Sequence, residues 1–202
     1  MSALAEQDRL GAIKHGSVLL LVDRDGVINR RIVGDYVRCW DQFEFLPGAL
    51  EALVSLSRWA RHVLVVTNQQ GVGKGLVSES DLLEIHRSLV AKVSGAGGRI
   101  DDVLVCPHLA SDACPCRKPR DGLVRDWLRS NVGIAPDLVI MAGDSESDML
   151  MVRSLAGDKA WAVLIGGADS AAAIAVSDAT FPSLGDFAAA LADLRTESGA
   201  RP

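Results

Sequence analysis

The chain alternates short, uninterrupted apolar runs with longer stretches whose apolar residues recur at helical spacing. The short runs cover residues 18–22, 62–67, 101–106, 138–143 and 161–166. Strands apolar on both faces belong in a parallel sheet with helices packed on each side. The stretches 47–60, 78–98, 122–133 and 147–157 supply those helices, the first of them with Leu50, Leu53 and Leu56 on one face. The pattern predicts an α/β class protein: a doubly wound, Rossmann-like, mostly parallel sheet that binds ligands beyond the carboxyl ends of its strands. At 202 residues it has room for one domain, expected over 17–190, with loosely held tails at 1–16 and 191–202.

Polar residues gather where the apolar runs stop. Asp23 and Asp25 follow the first run, Thr67, Asn68 and Gln69 the second, and Asp144 the fourth. Gly26 lets the chain leave the strand sharply, so both early aspartates can approach one centre. Clustered carboxylates repel one another unless a cation neutralises them, and an all-oxygen site suits Mg²⁺. With Lys118 and the Thr67 hydroxyl, such a cluster can neutralise a transferring phosphoryl group. One carboxylate can attack phosphorus while the other manages the leaving group's proton. Taken singly, each aspartate could be a turn or helix cap, Asp144 for a helix starting near Ser145, and Lys118 a surface residue before a proline. Their convergence on one sheet edge sets them apart.

A second cluster has the spacing C-x-H-x5-C-x-C: Cys106, His108, Cys114 and Cys116. Three thiolates and an imidazole make a closed tetrahedral zinc site. With no position left for water, this Zn²⁺ would be structural, pinning the 106–119 loop and with it Arg117 and Lys118. Cys39 is left over as a buried or half-buried thiol, and His86 reads as a packed or surface residue. The glycine-rich 71–75 stretch lacks P-loop spacing and reads as a flexible loop, with Lys74 solvated or reaching toward a phosphate.

The net charge of −5 argues against nucleic-acid partners held by general phosphate attraction. No apolar run nears the roughly 20 residues needed to span a bilayer. The first residues lack a secretory signal pattern. These features predict a cytoplasmic protein without a membrane or nucleic-acid partner, with a monomer as the default.

"DRDG", "VTNQ", "CRKP" and "GDSESD", in that order, resemble the four motifs of the haloacid dehalogenase superfamily of phosphatases, and within it the small branch that lacks a cap domain. The resemblance covers about residues 18–165. It implies that Asp23 is the nucleophile and Asp25 the acid and base. Thr67 and Lys118 would bind phosphoryl oxygens, and Mg²⁺ would be held by Asp23, the Asp25 main-chain carbonyl and Asp144. It also implies the zinc loop, and substrate contacts from Arg31, Asn68, Gln69, Arg117 and Lys118. Asp148 would order the fourth motif, and Ser145 stands where many relatives carry lysine. The 29–48 segment is too short for a lid domain, and Arg30, Arg31 and Arg38 on it are candidates for a second phosphate. The substrate implied is a small sugar bisphosphate, D-glycero-D-manno-heptose 1,7-bisphosphate, losing its C7 phosphate on the way to a nucleotide-activated heptose. Histidinol phosphate is the alternative, and a catalytically dead, zinc-stapled binding module the more distant one.

Overall fold

A computed structural model describes residue 13 and residues 16–166 and 170–196. Six strands form one sheet: β1 (Val18–Val22), β2 (His62–Asn68), β3 (Asp102–Cys106), β4 (Leu138–Gly143), β5 (Ala160–Ile165) and β6 (Ala179–Phe181). Their order is β3-β2-β1-β4-β5-β6, and every pair is parallel. The helices are α1 (Ala49–Trp59), α2 (Gln70–Gly73), α3 (Glu79–Gly95), α4 (Gly122–Ser130), α5 (Glu146–Ala156), α6 (Ala171–Ala175) and α7 (Leu184–Thr196). Five strands lie where the apolar runs predict them. The sixth has three half-exposed residues, too few to show a period.

Strand alternation sorts the core into two layers. Leu20 and Val22 face a cluster with Leu53 and Leu56 of α1, Ile85, Leu89 and Val93 of α3, and Phe187 and Leu191 of α7. Leu19 and Leu21 face the other cluster, with Val124 of α4, Met149 and Val152 of α5, and Ala173 of α6. Each such side chain contributes roughly 1.5–3 kcal/mol by leaving water. The alternation continues past β1: Asp23 shares the parity of Leu21, and Arg24 that of Val22. The two residues therefore leave the strand toward opposite layers.

Parts of both expected tails pack against the domain. Ile13 is buried in the first cluster and its carbonyl accepts from Trp59 Nε1 at 3.1 Å, so the 1–16 segment is not wholly loose. Residues 1–12 and 14–15 of that segment lie outside the described residues. At the other end α7 runs through position 191 to Thr196 because Leu184, Phe187, Ala188 and Leu191 make a buried stripe at helical spacing. Residues 197–202 lie outside the described residues.

Candidate active site

The register of β1 brings the sequence-predicted residues together. Val22 pairs with Val65 on one side and Ala142 on the other, and the Asp23 amide extends the ladder to the Ala142 carbonyl at 2.9 Å. Asp23 thus ends level with the termini of β2 and β4, where the strand order reverses. Gly26 makes the turn at φ +91°, and a Cβ there would lie 2.1 Å from Asp144 Oδ2. Only glycine allows both the left-handed turn and the close approach of Asp144.

Lys118 is the centre of charge. Its ammonium lies 2.8 Å from Asp23 Oδ1 and 2.6 Å from Asp148 Oδ1, and donates to the Val66 carbonyl at 2.8 Å. Two carboxylates and one carbonyl oxygen thus surround the ammonium. Burial works against its charge, but Asp148 and Asp23 outweigh that and hold the lysine protonated well beyond its ordinary range. Burial, together with Asp148 and Asp144 nearby, pushes the Asp23 carboxyl up to about 7 against the pull of Lys118. Asp148 is fully buried, and its second oxygen accepts from the Ser145 amide at 3.2 Å and the Ser145 hydroxyl at 2.5 Å. Ser145, rather than Asp144, therefore sits at the cap of α5.

That leaves Asp144 free for other work. Its Oδ1 is buried without a partner, and burial pushes its carboxyl above the ordinary range. Asp23, Asp144 and Asp148 can bring one oxygen each within 4.8 Å of one another. An orphaned carboxylate oxygen beside a second carboxylate fits a hard divalent cation. Asp148 already serves Lys118 and Ser145, so Asp23 and Asp144 are the side chains with capacity to spare. Arg31 reaches in from the loop, its Nη1 3.5 Å from Asp144 Oδ2.

Asp25 sits in a nest of donors. Asn29 Nδ2 reaches Oδ1 at 2.9 Å, Gln69 Nε2 reaches Oδ2 at 2.8 Å, and Arg24 Nη2 lies 3.1 and 2.9 Å from the two oxygens. Burial alone would raise this carboxyl, but the Arg24 charge and these hydrogen bonds win and keep it below its ordinary range. Gln69 also donates to Thr67 Oγ1 at 2.8 Å, which ties the second motif to the first. Asn68 clamps the Lys118 main chain, accepting from its amide at 3.1 Å and donating to its carbonyl at 3.3 Å. Arg24, Asn29 and His86 belong to this network although the sequence reading gave none of them a role. The parity of Arg24 with Val22 was the available signal for its inward direction.

The cysteine cluster assembles as the spacing predicts. Its sulfurs lie 3.2–3.5 Å apart, and His108 Nδ1 is 3.0 Å from Cys116 and 3.7 Å from Cys106. Bonds of about 2.3 Å to a central zinc give S–S edges of about 3.8 Å, so these sulfurs converge slightly more closely than a filled tetrahedral site requires. Cys106 ends β3 directly beside Asn68 of β2, and Lys118 follows Cys116 by two residues. Arg120 braces the loop by donating to the Cys114 carbonyl at 2.7 Å.

A cleft of about 680 Å³ opens over these residues, with Arg31, Lys74 and Arg117 along its walls. The other loop arginines turn elsewhere. Arg30 makes a two-pronged pair with Glu44 at 2.9 and 3.0 Å, and Arg38 pairs with Asp35 at 2.7 Å, neither of them lining the cleft. Two minor expectations also change. Cys39 is exposed, and residues 70–73 form the short helix α2, with Gly71 packed on Tyr36 and Gly73 on the Pro107 carbonyl.

A doubly wound parallel sheet with paired aspartates after its first strand, and threonine, lysine and aspartate brought to meet them, defines a phosphohydrolase of the haloacid dehalogenase superfamily. Similarity to known proteins narrows the class. The chain is 51% identical over 182 residues to the D-glycero-alpha-D-manno-heptose-1,7-bisphosphate 7-phosphatase of Mycobacterium bovis, covering 89% of this chain and 94% of that one. It therefore belongs to the heptose-1,7-bisphosphate 7-phosphatase family. The D-glycero-beta-D-manno enzyme of Bordetella bronchiseptica is 36% identical over 73% of this chain and 81% of its own. The crystal structure of a D,D-heptose 1,7-bisphosphate phosphatase from B. bronchiseptica, complexed with magnesium and phosphate, superposes with a TM-score of 0.74 at 29% identity. That match covers 87% of this chain and 98% of the other. No family model matches the chain.

Proposed function

We propose that this enzyme removes the C7 phosphate of D-glycero-α-D-manno-heptose 1,7-bisphosphate through an aspartyl-phosphate on Asp23. The observation that carries the reading is the Asp23 carboxylate held 2.8 Å from a buried lysine at the floor of an open cleft. An Asp23 oxygen attacks phosphorus, and the C7 oxygen leaves with a proton from Asp25. Asp25, now a carboxylate, takes a proton from water as that water attacks the phosphoaspartate, releasing phosphate and restoring Asp23. Lys118 and the Thr67 hydroxyl stabilise charge on the phosphoryl oxygens. Asp25 rests as a carboxylate among donors, so it exchanges one of those contacts for a proton before serving as the acid.

Asp23, Asp144 and the Asp25 main-chain carbonyl would hold Mg²⁺, which supplies charge neutralisation at the phosphoryl group. Cys106, His108, Cys114 and Cys116 would hold Zn²⁺ as a staple for the loop that carries Lys118. Arg31 and Arg117 on the cleft wall, with Lys74, are the cations available to the C1 phosphate. Asn68 and Gln69 act through Lys118, Thr67 and Asp25. A thiolate zinc site of this kind suits a reducing, cytoplasmic setting.

The α anomer is favoured by the 51% identity to the Mycobacterium enzyme named for it, against 36% to the Bordetella enzyme named for the β anomer. Steady-state kinetics with Mg²⁺ on both anomers and on histidinol phosphate tests the proposal. The expected order of kcat/KM is α above β, with histidinol phosphate lowest by about tenfold or more, the range that one or two lost charged contacts produce. A preference for histidinol phosphate would overturn the substrate assignment.

A further inference from the structure

Arg24 is the largest side chain among those fully buried, and because its Nε has no partner, its two terminal nitrogens carry all the contacts that offset the cost of burying the charge. Its parity in the strand sends it toward α3, away from the lysine. There one arm, Nη2, faces both oxygens of Asp25 at 3.1 and 2.9 Å. The other arm, Nη1, lies 3.0 Å from His86 Nε2. A guanidinium only donates, so Nε2 must accept, and His86 must be the neutral imidazole with its proton on Nδ1. His86 occupies the inward face of α3, otherwise filled by Leu82, Ile85, Leu89 and Val93. A polar residue on that face has a specific use.

We propose that His86 anchors Arg24 and that Arg24 fixes the orientation of the Asp25 carboxyl, making both positioning residues for proton transfer to the leaving group. This rests on the reading of Asp25 as the acid. The guanidinium is a rigid fork. Held at one arm by His86, it constrains the plane of the carboxyl facing the other arm. Without the acceptor on His86, Nη1 is left buried and unpaired, and Arg24 shifts to find a partner, taking Asp25 with it.

The test compares leaving groups. A sugar C7 alkoxide needs a proton as it departs, whereas p-nitrophenolate leaves without one. The kcat/KM for each substrate reports events up to phosphorylation of the enzyme. His86→Leu keeps bulk and removes the acceptor; His86→Gln places an amide oxygen near the Nε2 position. We expect His86→Leu to lower kcat/KM for heptose bisphosphate about tenfold, a fraction of the ~10²–10⁴ that acid catalysis supplies. Its kcat/KM for p-nitrophenyl phosphate should stay near wild type, and His86→Gln should recover most of the loss. If His86→Leu fails to fold, His86→Asn, whose amide stops short of Arg24, takes its place in the same comparison. Asp25→Asn is the control and should show the same selectivity more strongly. Equal losses on both substrates in Asp25→Asn would overturn the acid assignment and the inference with it. A selective Asp25→Asn beside a His86 variant that harms both substrates equally, or neither, would overturn the inference alone.

Discussion

Lys118 sits before a proline, and nothing in its immediate neighbours distinguishes it from a surface lysine. Its buried contacts with Asp23, Asp148 and the Val66 carbonyl place its charge beside the proposed nucleophile and make it part of the core. Removing the charge leaves two carboxylates with no cation between them, and breaking such a buried arrangement costs about 3–5 kcal/mol. Lys118→Met should therefore lower unfolding stability by that order in urea titrations, besides abolishing turnover. Unchanged stability would show that the pair is not the buried charge cluster described. The order of motifs made Lys118 legible in the sequence, whereas Arg24 and His86 were not. Their contact joins positions 62 residues apart, and the partner of a buried charge is a tertiary fact that residue type does not carry.

Among the elements, the Cys/His loop shows how local spacing can bring side chains to one point. Three cysteines and a histidine within eleven residues specify the cluster because a metal site needs its donors near one point, whatever the surrounding fold. The loop reaches the catalytic centre through one clamp, Asn68 against the Lys118 main chain, and through the Gln69 amide bonded to the Cys106 carbonyl at 2.7 Å. Stripping zinc with a chelator and restoring Mg²⁺ should raise hydrogen exchange across 106–119 and depress activity, while β1 and β4 stay protected. Exchange unchanged by zinc loss would refute the staple. Five strands were legible as apolar runs, while β6 was too short to show a pattern. The α7 stripe was present in the sequence, but its flanking alanines and polar residues disguised it as the approach to a tail.

On the scale of the whole molecule, the site exists because the strand order reverses around β1 in an all-parallel sheet. Asp23 and Asp25 lie at the end of that central strand, and β2 and β4 deliver Thr67 and Asp144 on either side of it. Apolar run order and strand-end chemistry together made this convergence readable before any coordinates. The finer wiring of Asp25, through Arg24, Asn29 and Gln69, depends on loop conformation after Gly26, which no periodicity describes. Among the described residues, no helix is long and apolar enough to cross a membrane. The distribution of loop arginines is likewise set by the folded path of the loop: Arg30 and Arg38 find carboxylates of their own, and Arg31 alone of these three lines the cleft.

Chemical capture of the covalent intermediate examines this assembly at its heart. Enzyme mixed with heptose bisphosphate and Mg²⁺, quenched within milliseconds and treated with borohydride, should carry homoserine at position 23 in the peptide mass spectrum, the product of reducing an acyl phosphate. Asp25→Asn should slow loss of the phosphoryl group from that site, and Asp23→Asn should yield no adduct while remaining folded. An adduct at a different residue, or turnover by Asp23→Asn, would contradict the account.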